Sequence, residues 1–259
     1  MIKSSIKDFE VFLKQIGVQK KHTLLVHSDI TSLGLIEKDL NGVFEAFQNV
    51  LGPEGTLIVP TFSFSFCNQK IFDPQKTPST SGVFTNYIRT LHESKRSVHP
   101  NHSFSAIGPK KENVLKFSDK TSFGPGTVFT SMLNEDVQVL LLGTFRNSYV
   151  HYVEKNFGVS YRYDKFLTGF IANKDKKYED TFSMYVRDIN AQGTDEDDRK
   201  TQRNLFFDSP LCKSKGFGYG VHRFFRAKDY CEFFFDKLEK DPFYLINREK
   251  FEASFKKVE

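Results

Sequence analysis

The chain contains no tryptophan, only three cysteines and no long apolar run. The cysteines, Cys67, Cys212 and Cys231, include no CxxC pair and are odd in number, so they indicate neither a disulfide framework nor a cysteine-based zinc site. No stretch approaches the roughly 20 apolar residues of a membrane-spanning helix, and the opening segment does not resemble a signal peptide. We therefore expect reduced thiols, a cytoplasmic location and no membrane span.

Strong charge of either sign is also missing. The net charge is +5, from 37 basic and 32 acidic residues. This is well short of the charge of a dedicated nucleic-acid-binding protein, so we expect no nucleic-acid partner. A weak positive charge favours anionic partners over polycations. The sequence does not indicate an oligomeric state.

Short apolar strands alternate with amphipathic helices along the chain, and 29 phenylalanines predict a Phe-rich core. Strands are expected at about 23–26, 56–60 and 137–142, with helices at about 4–16, 38–51, 82–91 and 227–238. This order predicts an α/β fold with at least part of the sheet parallel. Strict alternation predicts that residues 61–66 continue the second strand. Residues 166–172 and 178–186 predict an antiparallel hairpin that extends the sheet.

Polar residues follow the first predicted strand directly, in the segment His27 to Gly34. A strand, a polar loop and a helix in succession form the corner at which ligands collect in α/β sheets. Its hydroxyls and backbone N–H groups suit phosphate or amide oxygens. The alternative is an ordinary helix-capping turn, in which Ser and Thr are favoured for backbone reasons.

Seven motifs occur in a characteristic order: HSDITSLG, GPEGTLIVPTFS, FDPQKTPSTSG, RSVHPNHSFSAIG, TSFGPGT, VLLLGT and HYVEKNFG. In order and spacing they resemble the aminoglycoside 3-N-acetyltransferase family over nearly the whole chain. The resemblance implies one α/β domain, residues 1–259, with a mixed central sheet flanked by helices, unlike the common acetyltransferase fold built on a splayed strand pair. It also implies acetyl-CoA or a related acyl-CoA as the donor, and no metal.

The pair His151 and Glu154 is the predicted catalytic centre. An amine attacks a thioester through a free lone pair, so a general base is needed, and histidine accepts protons near neutral pH. A spacing of three places Glu154 on the same helical face, where its carboxylate can orient the imidazole. The family resemblance assigns the catalytic role to His151 by position. Taken alone, such a pair is typical of a solvated helix face.

The resemblance also implies a donor site with two parts. The first is the loop after the opening strand, with candidates Ser28, Thr31, Ser32, Leu33 and Gly34. The second is the segment from Arg96 to Phe104, where Arg96 could pair with a phosphate and Ser103 and Phe104 could line the cleft. Two alternatives stay open for this segment. His99 and His102 could hold the Pro100 turn, or could bind a metal if a further ligand joined them.

Three functions agree with these features. The first is N-acylation of an amino sugar, in particular a nucleotide-linked sugar of surface-glycan assembly. The second is acetylation of an aminoglycoside antibiotic at its 3-amino group. The third is a CoA-binding protein without catalysis, which the retained His151 and Glu154 disfavour. A polycationic aminoglycoside needs converging carboxylates. The acidic run Asp195 to Asp198 is either a solvated loop or a cation-recruiting rim, so charge weakly favours the first function.

Overall fold

A computed structural model describes residues 2–173, 176–195 and 200–255, in which strands and helices alternate for most of the length. The strands are β1 (Lys3–Ser4), β2 (Thr23–Ser28), β3 (Leu35–Ile36), β4 (Thr56–Pro60), β5 (Lys95–Arg96), β6 (Phe104–Ile107), β7 (Gln138–Leu142), β8 (Arg162–Asn173), β9 (Lys176–Arg187), β10 (Cys212–Phe217) and β11 (Gly220–Arg226). The helices are α1 (Ile6–Ile16), α2 (Asp39–Leu51), α3 (Val83–Thr90), α4 (Lys111–Val114), α5 (Val128–Asn134), α6 (Tyr149–Phe157), α7 (Lys200–Phe207), α8 (Ala227–Lys240) and α9 (Arg248–Phe255). A single 3₁₀ turn, Ile30–Leu33, follows β2.

Seven strands form the central sheet in the order β10-β11-β7-β2-β4-β6-β5. The three central strands, β7, β2 and β4, are parallel to one another. The flanking strands pair antiparallel, β11 with β7 on one side and β6 with β4 on the other. The predicted mixed α/β sheet is therefore confirmed.

Alternate residues of the central strands point into two separate apolar layers. Leu24 and Val26 of β2 pack with α1, α2 and α3, whereas Leu25 packs on the opposite side with α5, α6 and α8. Such two-sided burial explains why the central strands are almost continuously apolar. Phenylalanines fill both layers, as the composition predicts.

Local signals set the helix ends that were predicted. Ser5 and Asp8 form a capping box at the start of α1, and Gly17 ends that helix with φ of 125°. Gly52 and Gly158 lie at the C-terminal ends of α2 and α6. Among the described helices none is long and apolar enough to cross a membrane.

Two predictions about strands are wrong. The hairpin of β8 and β9 forms its own two-stranded sheet instead of extending the central one. It packs through a small cluster of Phe66, Phe72, Ile171 and Phe182, and Phe72 forms backbone hydrogen bonds with Phe170 and Ala172. The alternating segment 61–66 is not a strand beyond Pro60, since it leaves the sheet and folds into turns under this hairpin.

Candidate active site

A cavity of about 640 Å³ lies at the edge of the sheet where the parallel strands β2, β4 and β7 end. Because β6 runs antiparallel to β4, the loop before β6 reaches the same edge. The described lining residues are His27, Ser28, Asp29, Pro60, Phe62, Phe64, Thr80, Ser81, His102, Phe123, Gly143, Thr144, Phe145, Arg146, Asn147, Ser148 and His151. This volume is within the usual range for small-molecule sites.

Helix α6 brings His151 and Glu154 together one turn apart. Nδ1 of His151 lies 2.7 Å from Oε2 of Glu154. The Glu154 side chain is fully buried, whereas that of His151 is 27% exposed and borders the cavity. Because a carboxylate only accepts, Nδ1 carries the hydrogen and the imidazole lone pair is on Nε2. The predicted contact is present, and the catalytic role of each residue stays a prediction.

A buried cation, Arg162, also lies close to Glu154. Nε of Arg162, from β8, lies 2.8 Å from the same Glu154 oxygen, and both side chains are buried. The Arg162 guanidinium carbon lies 6.0 Å from the centre of the Tyr185 ring. Burial, together with the nearby Glu154 carboxylate, raises the pKa of the Tyr185 hydroxyl. A paired cation favours the ionised form of a buried carboxylate, so Glu154 can orient His151 as an anion. Sequence reasoning missed Arg162, because no fixed spacing relates a helix to the following hairpin.

A second imidazole, that of His102, lines the cavity. Its ring packs edge-on against Phe62 and Phe64, and Nδ1 lies 2.7 Å from Oγ of Ser122. Its neighbour His99 points away, and Nδ1 of His99 accepts the backbone N–H groups of Asn101 and His102. The structure thus favours the loop-holding alternative for His99. Within the described residues no group of metal-binding side chains is found.

Only part of the first predicted donor segment borders the cavity. Ser28 does, beside Asp29. Thr31 donates its hydroxyl to the Asp29 carboxylate over 2.6 Å, and Ser32 donates to the Asp29 carbonyl over 2.7 Å. Leu33 is buried in the core, and Gly34 has φ of 73° with its Cα packed close to the Ile2 backbone. Asp29, Thr31 and Ser32 therefore form a capping turn, and of the five predicted donor residues of this loop Ser28 is the one in the described lining.

In the second predicted donor segment, Arg96, Ser103 and Phe104 are buried and lie outside the described lining of this cavity, to which His102 of the same segment belongs. The buried Arg96 donates to the carbonyls of Thr61, Thr77 and Pro74 and to Ser103 Oγ. Ser103 in turn donates to the Thr61 carbonyl. Phe104 packs against Phe62 and Phe129 in the core. Contact of these three residues with the donor stays a prediction, and the hydrogen bonds of Arg96 and Ser103 join loops together.

Sequence reasoning missed several residues of the lining. The largest omission is the run Gly143 to Ser148, which directly follows β7. The rule that selected the loop after β2 applies equally to this run, since β7 is also a parallel strand of the centre. Thr80 and Ser81 precede α3 and come to the cavity through hydrogen bonds with the Phe62 backbone. No sequence pattern indicates that contact.

The remaining expectations concern the cysteines and the acidic run. Cys212 and Cys231 are buried free thiols and Cys67 is an exposed one, and none is in the described lining. Of the acidic run, Asp195 is described, whereas Glu196, Asp197 and Asp198 lie outside the described residues.

Comparison with known proteins identifies the family of this chain. The model of the family described as aminoglycoside 3-N-acetyltransferase matches residues 25–239. The chain belongs to this family. Aminoglycoside N(3)-acetyltransferase IV from Salmonella sp is 35% identical over 156 residues, which are 58% of this chain and 58% of that protein. The chain thus spans little more than half of the length of this curated relative.

Solved structures of family members share the fold over a greater length. A histidine-to-alanine mutant of aminoglycoside acetyltransferase AAC(3)-IVa in complex with gentamicin has a TM-score of 0.80 and 25% identity, covering 100% of this chain and 99% of that one. The enzyme AAC-IIIb, as a binary complex with CoASH, has a TM-score of 0.81, covering 92% of this chain and 97% of that one. Its identity is 18%, so this second likeness concerns the fold alone.

Proposed function

We propose that this chain is an acetyl-CoA-dependent N-acetyltransferase that acts on the 3-amino group of an aminoglycoside. The observation that carries the proposal is the His151–Glu154–Arg162 series at the wall of the cavity. Family membership and the gentamicin complex of a relative support the choice of acceptor. Those comparisons favour this acceptor over a nucleotide-linked amino sugar, for which they offer no support.

His151 is the general base in this proposal. Its Nε2 accepts a proton from the amine as the nitrogen attacks the acyl carbonyl carbon. The C–N bond forms, the C–S bond breaks, and the proton held by His151 passes to the departing thiolate, so CoA leaves as the thiol and no acyl-enzyme is required. Glu154 holds the imidazole by its Nδ1–H and offsets the positive charge that develops on the ring, while Arg162 keeps the carboxylate ionised.

The donor is assigned to the part of the cavity formed by the loops after β2 and β7. Ser28, Thr144 and Ser148 supply hydroxyl groups there. Such groups suit the amides and the thioester of a pantetheine arm, which carry little charge. This assignment retains Ser28, which belongs to the predicted donor loop, and replaces Arg96, Ser103 and Phe104 by the residues that follow β7.

The charges of the described lining bear on the acceptor. They are one carboxylate, Asp29, and one guanidinium, Arg146. An aminoglycoside carries several ammonium groups, so we expect Asp29 to contact one of them, and affinity to depend mainly on hydroxyl contacts. The same balance of charge makes a nucleotide-linked amino sugar the necessary comparison in any assay.

The test is an assay of thiol release from acetyl-CoA with a panel of acceptors. The panel contains 2-deoxystreptamine aminoglycosides, apramycin, a nucleotide-linked amino sugar and a free amino sugar, and NMR locates the acetyl group on each product. We expect acetylation of the 3-amino group of at least one aminoglycoside. The control, His151→Ala, should bind CoA and release thiol at background rate.

Two results would contradict the proposal in different ways. Acetylation of the nucleotide-linked sugar with all aminoglycosides inert would replace the acceptor while retaining the chemistry. CoA binding without transfer to any amine would replace the chemistry itself and support a protein that binds CoA without catalysis.

A further inference from the structure

His102 forms a short hydrogen-bonded series that fixes how its ring presents to the cavity. Nδ1 of His102 lies 2.7 Å from Ser122 Oγ, and this hydroxyl donates to the carbonyl of Ser183 over 2.9 Å. Ser122 is buried, and Ser183, on β9, is almost completely buried. The series therefore joins the cavity wall to the hairpin.

The Ser122 hydroxyl has one hydrogen, and the direction in which it is donated determines which nitrogen of the His102 imidazole is protonated. A carbonyl oxygen only accepts, so the Ser122 hydrogen points to Ser183 and Ser122 Oγ accepts from His102. Nδ1 of His102 then carries the ring hydrogen. In the other tautomer the 2.9 Å contact between two oxygens would lack a hydrogen. Nε2 is consequently an acceptor.

The surroundings keep this ring neutral. Burial, with the neighbouring His99 and His151 imidazoles, holds the pKa of His102 well below its ordinary value. Phe62, Phe64 and Phe123 surround the ring with apolar edges and faces. A neutral imidazole in this setting accepts a hydrogen bond without competing for the proton that His151 removes.

The position of His102 relative to His151 indicates that His102 lies near groups of the bound acceptor. The rings of His102 and His151 pack against the same Phe123 ring, at centroid distances of 5.1 and 5.4 Å. Both histidines line the cavity. A molecule whose amine reaches His151 thus has neighbouring groups within reach of His102.

We propose that Nε2 of His102 accepts a hydrogen bond from an N–H or O–H group of a bound substrate and so determines specificity beside the reacting amine. The proposal rests on the proposed function. The group belongs either to the acceptor sugar, as a hydroxyl or a second ammonium, or to the donor, as a pantetheine amide N–H. Both sources offer the same chemistry, and kinetics distinguishes them.

The test compares two substitutions that differ in one property. His102→Phe retains a ring against the three phenylalanines but removes the acceptor, whereas His102→Gln retains an acceptor near the Nε2 position. We expect His102→Phe to raise KM for one substrate about tenfold with little change in kcat, and His102→Gln to recover part of the loss. A rise in KM for the aminoglycoside identifies the acceptor sugar, and a rise in KM for acetyl-CoA identifies the amide.

Two further variants complete the kinetic test. Ser122→Ala removes the group that fixes the tautomer and should raise the same KM by a smaller factor. His92→Gln, at an exposed histidine, is the matched control. Unchanged KM values in His102→Phe would overturn the proposal, as would a loss confined to kcat.

An NMR measurement on ¹⁵N-histidine-labelled protein separates this proposal from the proposed function. In the free wild-type protein the His102 signals, assigned by their absence from His102→Gln, should show a protonated Nδ1 and an unprotonated Nε2. If the wild type acetylates no amine, the proposed function fails. In that case a shift of the Nε2 signal on addition of CoA or gentamicin upholds the hydrogen bond, and a protonated Nε2 or no shift overturns it.

Discussion

Four histidines around the cavity and its supporting loops are kept neutral by burial. Burial lowers the pKa of His27 to about 4 and that of His99 to about 3. The pKa values of His102 and His222 are lowered for the same main reason. Neutral rings serve here as hydrogen-bond acceptors, as at His99, whose Nδ1 accepts two backbone N–H groups.

A pH dependence of stability follows from the lowered pKa of His99. The unfolded chain, with an ordinary histidine pKa near 6.5, binds more protons than the folded one between about pH 6.5 and 3. Stability is therefore complete above this window and is lost as pH falls through it. We expect His99 alone to reduce the free energy of unfolding by about 2 kcal/mol at pH 5.

The variant His99→Asn tests this, because an amide oxygen can replace Nδ1 as acceptor but does not titrate. Urea unfolding at pH 7.5 and 5.0 should show a smaller loss of stability in His99→Asn than in the wild type. The exposed His92→Gln serves as the control. An equal loss in His99→Asn and wild type would show that His99 is not the titrating group.

At the scale of elements, the loop between β7 and α6 depends on Gly143. Its φ is 63°, and a Cβ added there would lie 2.0 Å from Ser32 Oγ. Its N–H donates to Nδ1 of His222 over 2.9 Å, and the opposite nitrogen of that ring donates to the Phe217 carbonyl over 2.8 Å. The loop that lines the cavity is thus held by β11 on one side and by the turn after β2 on the other.

Gly143→Ala should consequently destabilise the protein more than a glycine substitution of similar backbone strain. Gly158, with φ of 82° in the left-handed region and open space around its Cα, is the control. We expect about 1 kcal/mol for Gly158→Ala from the left-handed backbone alone, and about 3 kcal/mol for Gly143→Ala, which adds the overlap. Gly143→Ala should also lower kcat/KM. Equal thermal shifts for the two variants would show that the loop adapts to the added methyl group.

The hairpin of β8 and β9 contacts helix α6 through charged side chains. Lys155 of α6 pairs with Asp164 of β8, and Arg162 pairs with Glu154. Arg162→Met retains a long side chain but removes the cation, so Glu154 should favour its protonated form and support His151 less well. We expect a fall in kcat of about 10- to 100-fold with KM for acetyl-CoA unchanged, and partial recovery in Arg162→Lys.

The outcome for Arg162→Met is decided by comparing kcat with thermal stability. A variant that folds with wild-type stability and wild-type kcat would show that the guanidinium has no part in positioning Glu154. A variant that loses stability and activity together is assessed through Arg162→Lys. Wild-type stability without recovery of kcat in Arg162→Lys would also contradict the account.

Sequence patterns predicted the helices and strands better than they predicted the contacts of side chains in the segments between them. Helices α1, α2, α3 and α8 and the central strands were found because their apolar periodicity is local, but β4, Thr56–Pro60, was predicted to continue through residues 61–66. The segment 61–66 misled because alternating Ser and Phe also occurs in an irregular segment, in which Phe62 and Phe64 line the cavity and Phe66 packs under the hairpin. The hydrogen bonds of Arg96, at the end of β5, were not predicted, because the sequence does not show whether a guanidinium binds backbone carbonyls or a phosphate. The partner that such a side chain binds depends on residues far away in the sequence, and a single sequence does not reveal those contacts.

At the scale of the whole molecule, one edge of the sheet gathers the chemistry. The parallel strands β2, β4 and β7 end there, β6 begins there, and α6 and the hairpin close the side that bears His151. The arrangement lets six separate parts of the described chain contribute to one cavity, namely residues 27–29, 60–64, 80–81, 102, 123 and 143–151. Family membership, the α/β sheet and the position of His151 on α6 therefore all agree with one candidate active site at this edge.

The central claim is that His151 transfers a proton from an aminoglycoside amine during acetyl transfer from acetyl-CoA. The most direct test is a single-turnover measurement with gentamicin, with acetyl-CoA bound first, for the wild type and His151→Ala at neutral pH. We predict that both proteins bind acetyl-CoA equally, and that the variant forms 3-N-acetyl product about 10²- to 10⁴-fold more slowly. Formation of the same product by His151→Ala at a rate near that of the wild type would contradict the account.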